Sequence, residues 1–101
     1  MIYKITVPKV AEDVEEIRIL EWHGEPGHQF VAGDLVVEME THKALVEIRA
    51  GQSGILRQIL APAGEWAQLG IPIAFFSDKE DEELGTEQDS KAELAIDFVV
   101  D

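Results

Sequence analysis

The stretch that decides the fold is Val36-Val37-Glu38-Met39-Glu40-Thr41-His42-Lys43-Ala44-Leu45-Val46-Glu47-Ile48-Arg49. On each side of its middle, apolar and polar residues alternate with the period of two that is typical of half-buried β-strands. Because only residues 41–44 separate the two runs, a tight hairpin turn must join the strands, with Lys43 at its tip. A lysine there projects its amine away from the body of the domain. The positions predicted to face the interior are Leu35, Val37, Met39, Ala44, Val46 and Ile48.

Short strand-like segments continue on both sides of this hairpin, and glycines and prolines separate them. No helical stripe of ordinary length occurs before residue 77. The sequence therefore predicts an all-β domain. The further predicted strands lie around residues 5–7, 17–19, 55–60 and 71–76.

An internal echo suggests how these strands are arranged. The pair Gly27 and Gly33 recurs as Gly64 and Gly70, 37 positions later. Each half then consists of a strand, a glycine turn, a short strand, a second glycine turn and a strand. Two such halves predict two small sheets that are related by an internal pseudo-twofold and packed face to face over one core. The same offset pairs Trp22 with Ile59, Val36 with Ile73 and Val37 with Ala74.

Composition excludes several classes of function. The chain has 101 residues and a net charge of −13. An acidic surface without a basic stripe argues against binding to nucleic acid and to anionic membranes, since both require lysine and arginine. There is no cysteine, which excludes disulfides and thiolate zinc sites. With no signal peptide at the N-terminus, we expect a cytoplasmic protein.

The chain divides into a compact domain over residues 1–76 and an acidic tail over residues 77–101. Residues 78–83 are almost wholly charged and residues 85–90 are small and polar, as in a solvated linker. The last stretch, 94–100, is apolar again. It could pair with an exposed sheet edge, bind a partner, or be the stub of a longer chain, and the sequence leaves these three roles open.

The hairpin resembles that of the lipoyl domains of 2-oxo acid dehydrogenase complexes, members of the biotinyl/lipoyl attachment family. Their turn typically reads Glu-Thr/Ser-Asp-Lys-Ala, and here it reads Glu40-Thr41-His42-Lys43-Ala44. The resemblance extends from about Ile2 to Phe76. It implies an all-β flattened barrel or sandwich of two small antiparallel sheets with an internal pseudo-twofold, in agreement with the glycine echo. It implies that Lys43 carries lipoate in amide linkage, with Thr41, His42 and Ala44 as the flanking turn residues. His42 departs from the usual aspartate, which leaves open which complex is served.

The resemblance also implies a function and a set of partners. The chain would be a carrier, not an enzyme: a swinging arm that shuttles acyl groups and electrons between active sites of a 2-oxo acid or acetoin dehydrogenase-type complex. A lipoate ligase or octanoyl transferase would modify it. Its working partners would be a thiamin-dependent 2-oxo acid decarboxylase, a dihydrolipoyl acyltransferase and dihydrolipoyl dehydrogenase. The chain could itself be the N-terminal part of such an acyltransferase. Glu40, beside the turn, is the candidate for partner recognition.

Two alternatives remain. A biotin carboxyl carrier domain has a similar hairpin lysine, but methionines usually flank it, whereas here the neighbours are His42 and Ala44. The second alternative is a structural adaptor that has the same fold but carries no attached group. No arrangement of catalytic residues is evident, and the spacing of the three histidines predicts no metal site. Trp22 and Trp66 are assigned to the core or its rim.

Overall fold

Two β-sheets enclose one hydrophobic core. The computed structural model describes residues 1–84 and 92–101, and these residues form strands and no helix. The strands are β1 (Ile2–Thr6), β2 (Glu16–Trp22), β3 (Gln29–Phe30), β4 (Leu35–Glu40), β5 (Leu45–Ala50), β6 (Gly54–Ile59), β7 (Trp66–Gln68), β8 (Pro72–Ser77), β9 (Ala92–Glu93) and β10 (Ile96–Val100). The sheet orders are β3-β6-β8-β1-β9 and β10-β5-β4-β2-β7. Within these ranges there is accordingly no helical segment suited to crossing a membrane.

The predicted internal symmetry is confirmed by strand order and by register. Reversing the second sheet order gives β7-β2-β4-β5-β10, which matches the first sheet strand for strand. The pair Trp22 and Val37 recurs 37 positions later as the pair Ile59 and Ala74. All four glycines of the echo have φ between 81° and 102°, the left-handed region that favours glycine. These glycines are Gly27, Gly33, Gly64 and Gly70.

The core is built from the inward faces of the two sheets. On the lysine hairpin, Val37, Met39, Val46 and Ile48 are fully buried, as the alternation predicts. Strict alternation fails at Val36, which is fully buried as well. The register of β4 against β5 shifts between residues 35 and 37, and such a bulge turns two successive side chains toward the same side. The outer ends of the predicted set, at positions 35 and 44, are only half-buried.

The C-terminal residues add one strand to each sheet. β9 pairs with β1 in parallel, so the first sheet is mixed and not purely antiparallel, and β10 pairs antiparallel with β5. Leu94, between these two strands, is 3% exposed and belongs to the core. Of the three roles left open for this segment, the structure shows pairing with a sheet edge. Residues 85–91, which include the second half of the predicted linker, lie outside the described residues, and the boundary at residue 77 stays a prediction.

Candidate functional site

The turn that carries Lys43 is stabilised by the side chain of Thr41. The Thr41 hydroxyl oxygen accepts hydrogen bonds from the backbone N–H of Lys43 at 3.1 Å and of Ala44 at 3.0 Å. The backbone N–H of Thr41 donates to the carbonyl of Ala44 at 2.8 Å and closes the turn. A hydroxyl that bonds its own following backbone in this way is a common turn device. The sequence thereby fixes where the lysine leaves the turn, and His42 beside it is exposed.

Lys43 contacts an acidic residue from a distant loop. Its Nζ donates to Oδ2 of Asp13, in the loop between β1 and β2, at 2.6 Å. Both side chains are well exposed, at 62% for Lys43 and 59% for Asp13, so the pair adds little to stability. The hydrogen bond from Lys43, followed by one from the backbone N–H of Asp13 itself, lowers the pKa of the Asp13 carboxyl below its ordinary value. The amine is accessible to a second protein once this contact opens.

The predicted site residues lie together at one end of the second sheet. Thr41, His42, Lys43 and Ala44 form the turn, and Glu40 is the last residue of β4. The Glu40 carboxylate accepts a hydrogen bond from a guanidinium N–H of Arg18, its cross-strand partner, at 3.4 Å. Glu40 thus faces outward beside the turn, and its role in partner recognition stays a prediction.

Sequence reasoning missed a cleft beside the turn, here called the hairpin cleft, with a volume of about 760 Å³. Trp66, expected in the core or at its rim, is 53% exposed and lines this cleft. No local pattern signals the cleft, because the β1–β2 loop, β2, β7 and the lysine turn meet there only in the folded chain. Its walls include Asp13, Val14, Glu16, His42, Trp66 and Leu69.

A second polar group lies on the outer face of the same sheet. Glu21 and Glu38 are direct cross-strand partners, and the ligand atoms of these two residues and of His23 lie within 4.8 Å of one another. His23 Nε2 forms a hydrogen bond with the Glu38 carboxylate at 2.6 Å. The hydrogen bond between His23 and Glu38 and the general acidity of the chain explain why these three side chains lie together. We therefore do not assign a metal site to them. The prediction that the chain binds no metal stays a prediction.

Comparison with known proteins matches the greater part of the chain to one family. The Biotin_lipoyl family model, described as "Biotin-requiring enzyme", matches residues 3–76. Over 75 residues the chain is 36% identical to the dihydrolipoyllysine-residue succinyltransferase component of the 2-oxoglutarate dehydrogenase complex of Bacillus subtilis, covering 74% of this chain and 18% of that protein. It is 34% identical over 77 residues to the mitochondrial pyruvate dehydrogenase complex protein X component of Chaetomium thermophilum, covering 75% and 17%.

A solved structure shows the same fold. The lipoyl domain of the 2-oxoglutarate dehydrogenase complex from Azotobacter vinelandii superposes with a TM-score of 0.66 at 24% identity, covering 75% of this chain and 96% of that domain. The chain spans less than a fifth of the length of the curated relatives named above. The likeness therefore concerns one domain of those proteins. The matched part ends at residue 76, before β9 and β10.

Proposed function

The chain belongs to the Biotin_lipoyl family, and from that premise we propose that it is a lipoyl carrier domain with lipoate attached to Lys43. Domains of this family bear their cofactor covalently on a lysine. The observation that carries the proposal is the position of Lys43, exposed at the tip of a turn that Thr41 stabilises. Thr41, His42 and Ala44 are the residues that a modifying enzyme would meet around it.

The residues at the turn fit an amide-linked group. A lipoate ligase would bring the lipoyl group as an acyl adenylate. An octanoyl transferase would bring an octanoyl group as an acyl thioester, and a separate sulfur-inserting enzyme would then have to replace two C–H bonds of the attached chain by C–S bonds. The Lys43 Nζ–carbon bond forms, the bond from that carbon to the adenylate oxygen or thioester sulfur breaks, and the amine loses its proton. Because the ammonium of Lys43 donates to Asp13, it must leave that carboxylate before it reacts. When bound, lipoate supplies a dithiolane that accepts and delivers acyl groups and electrons.

The protein's own contribution is presentation. A turn held by backbone and hydroxyl hydrogen bonds keeps Lys43 at one end of the domain, and a tether raises the concentration of what it carries at each partner site. The net charge of −13 favours partners with basic surfaces and accelerates their encounter. Glu40, on the outer face beside the turn, is the residue that we propose such a partner contacts.

The relatives suggest which partners these are. They are components of 2-oxoglutarate and pyruvate dehydrogenase complexes. We therefore propose that the chain serves a 2-oxo acid or acetoin dehydrogenase-type complex. A thiamin-dependent decarboxylase, a dihydrolipoyl acyltransferase and dihydrolipoyl dehydrogenase would be its partners.

Intact-mass spectrometry tests the attached group. We expect incubation with lipoate, ATP and a lipoate ligase to add one lipoyl group to the chain, and incubation with biotin, ATP and a biotin ligase to add none. Biotin is the second candidate, because the same family carries it, but the neighbours His42 and Ala44 replace the methionines usual there. If biotin is added in preference to lipoate, the chain is a biotin carrier and the proposal is wrong. If neither group is added, the chain is an unmodified structural adaptor.

Modification should change the titration of Asp13. In the unmodified chain its pKa is lowered, chiefly by the hydrogen bond from Lys43. An amide nitrogen bears no charge, so the pKa should rise toward the ordinary value of 3.8 when Lys43 is modified. The small stabilisation from this pair exists above the unfolded-state pKa and is lost as the pH falls through the lower folded-state value. NMR titration of the Asp13 carboxyl carbon in both forms measures the change, and an unaltered pKa would show that the pair does not persist in solution.

A further inference from the structure

The atom proposed to bear the cofactor already lies at the rim of the hairpin cleft. Lys43 Nζ is 2.6 Å from an oxygen of Asp13, which lines the cleft, and the adjacent residue His42 lines it as well. A group attached at Nζ therefore starts at the mouth of the cleft. Its entry is an intramolecular step, which a tether favours by raising the effective concentration.

The lining of the cleft is mixed, and its apolar part includes two large side chains that stay exposed. Trp66 and Leu69 are 53% and 37% exposed, and Val14, which also lines the cleft, is 7% exposed. Exposed large apolar side chains gathered in a concave site indicate a ligand. The lipoyl group is a chain of methylenes that ends in a disulfide ring, and divalent sulfur packs favourably against aromatic rings. Trp66 and Leu69 are the part of the lining that matches the arm chemically.

The charges around the cleft select for a neutral arm. Asp13, Glu15 and Glu16 place carboxylates on its lining. Amide formation abolishes the charge of Lys43 and with it the ion pair to Asp13, which frees the start of the arm to turn toward Trp66. Carboxylates at the rim repel an anionic acyl group and tolerate a neutral dithiolane.

We propose that the hairpin cleft is a resting site for the lipoyl arm, which lies against Trp66 and Leu69 between visits to partner enzymes. This inference rests on the proposed function, since it requires lipoate on Lys43. It assigns a ligand-binding role to Trp66 of β7 and to Leu69, which directly follows β7, both outside the lysine turn itself.

NMR of the lipoylated chain tests the inference directly. Nuclear Overhauser effects should connect protons of the dithiolane ring with the indole of Trp66, and lipoylation should shift the resonances of Val14 and Leu69. The other tryptophan serves as an internal reference, because Trp22 donates its indole N–H to the carbonyl of Ala61 and lies outside the cleft. Resonance changes confined to residues 41–44, with no effect on Trp66, would overturn the inference.

A chemical readout complements the spectra. If the arm rests in the cleft about two-thirds of the time, Trp66→Ala should accelerate alkylation of the reduced dithiol about threefold, because only the free fraction reacts. The matched control is Val31→Ala, which truncates an apolar residue that is 50% exposed elsewhere. Equal rates in the two variants and the unaltered chain would contradict the proposal, as would shifts at Trp66 that occur only on adding a partner enzyme. Intact mass reports the attachment separately, so a chain that takes no lipoate refutes the proposed function instead.

Discussion

Exchanging two neighbouring residues, in the double variant His42→Lys/Lys43→His, should abolish lipoylation although an exposed lysine stays in the same turn. The backbone of residue 43 is fixed because its N–H donates to the hydroxyl of Thr41. A lysine at position 42 leaves the turn from a different point and in a different direction. A modifying enzyme that reads the position of the amine would therefore reject it.

Intact mass and peptide mapping after incubation with lipoate ligase measure the result. Lys43→Arg should give the same complete loss while it keeps the positive charge opposite Asp13. The matched control is Lys79→Arg, which changes an exposed lysine far from the turn in sequence and should leave one group attached. Modification of the exchanged variant at position 42 would show that the enzyme accepts any lysine in the turn. Modification of Lys43→Arg would show that another lysine is the site.

The second large effect concerns the C-terminal segment. Leu94→Ala should lower the free energy of unfolding by about 2–4 kcal/mol, the usual cost of truncating a buried leucine. Leu94 is 3% exposed, and its backbone N–H donates to the carbonyl of Lys4 in β1. It joins the C-terminal residues to the core that the two sheets share. Urea unfolding followed by circular dichroism measures the change.

Val99→Ala provides the control for this experiment. Val99 lies in β10 but is 51% exposed, so its truncation should change the stability by no more than about 0.5 kcal/mol. Deleting residues 77–101 should retain the β-sheet spectrum and the modification of Lys43, since the family match ends at residue 76, but at reduced stability. Equal stabilities of Leu94→Ala and Val99→Ala would show that β9 and β10 do not pack on the domain in solution.

The features that follow from local patterns could be predicted from the sequence. The lysine hairpin depends on two alternating runs separated by residues 41–44, and the pseudo-twofold depends on glycines that recur at a fixed offset. Each of these glycines adopts a positive φ, so its spacing marks a turn directly. The turn residues Thr41, His42, Lys43 and Ala44 could be identified because they separate the two alternating runs.

The features that depend on distant parts of the chain could not be predicted. Asp13 meets Lys43 across 30 positions, and no pattern near either residue signals the contact. The exposure of Trp66 depends on which elements border it, and an isolated tryptophan in a short strand gives no indication of that. The bulge that buries both Val36 and Val37 arises from pairing with β5, which alternation alone does not describe.

The path of β10 determines where a fusion partner would sit. The backbone N–H of Asp101 donates to the carbonyl of Leu45, the first residue after the lysine turn, at 2.9 Å. Ile2 instead pairs with Ser77, which also pairs with Ile55 near the start of β6. This is the end of the sandwich where β5 ends and β6 begins, opposite the lysine turn. A purification tag, fluorophore or surface linker placed after Asp101 would therefore emerge beside Lys43 and crowd a large enzyme approaching it. The same group placed before Met1 would emerge at the far end and leave the lysine open.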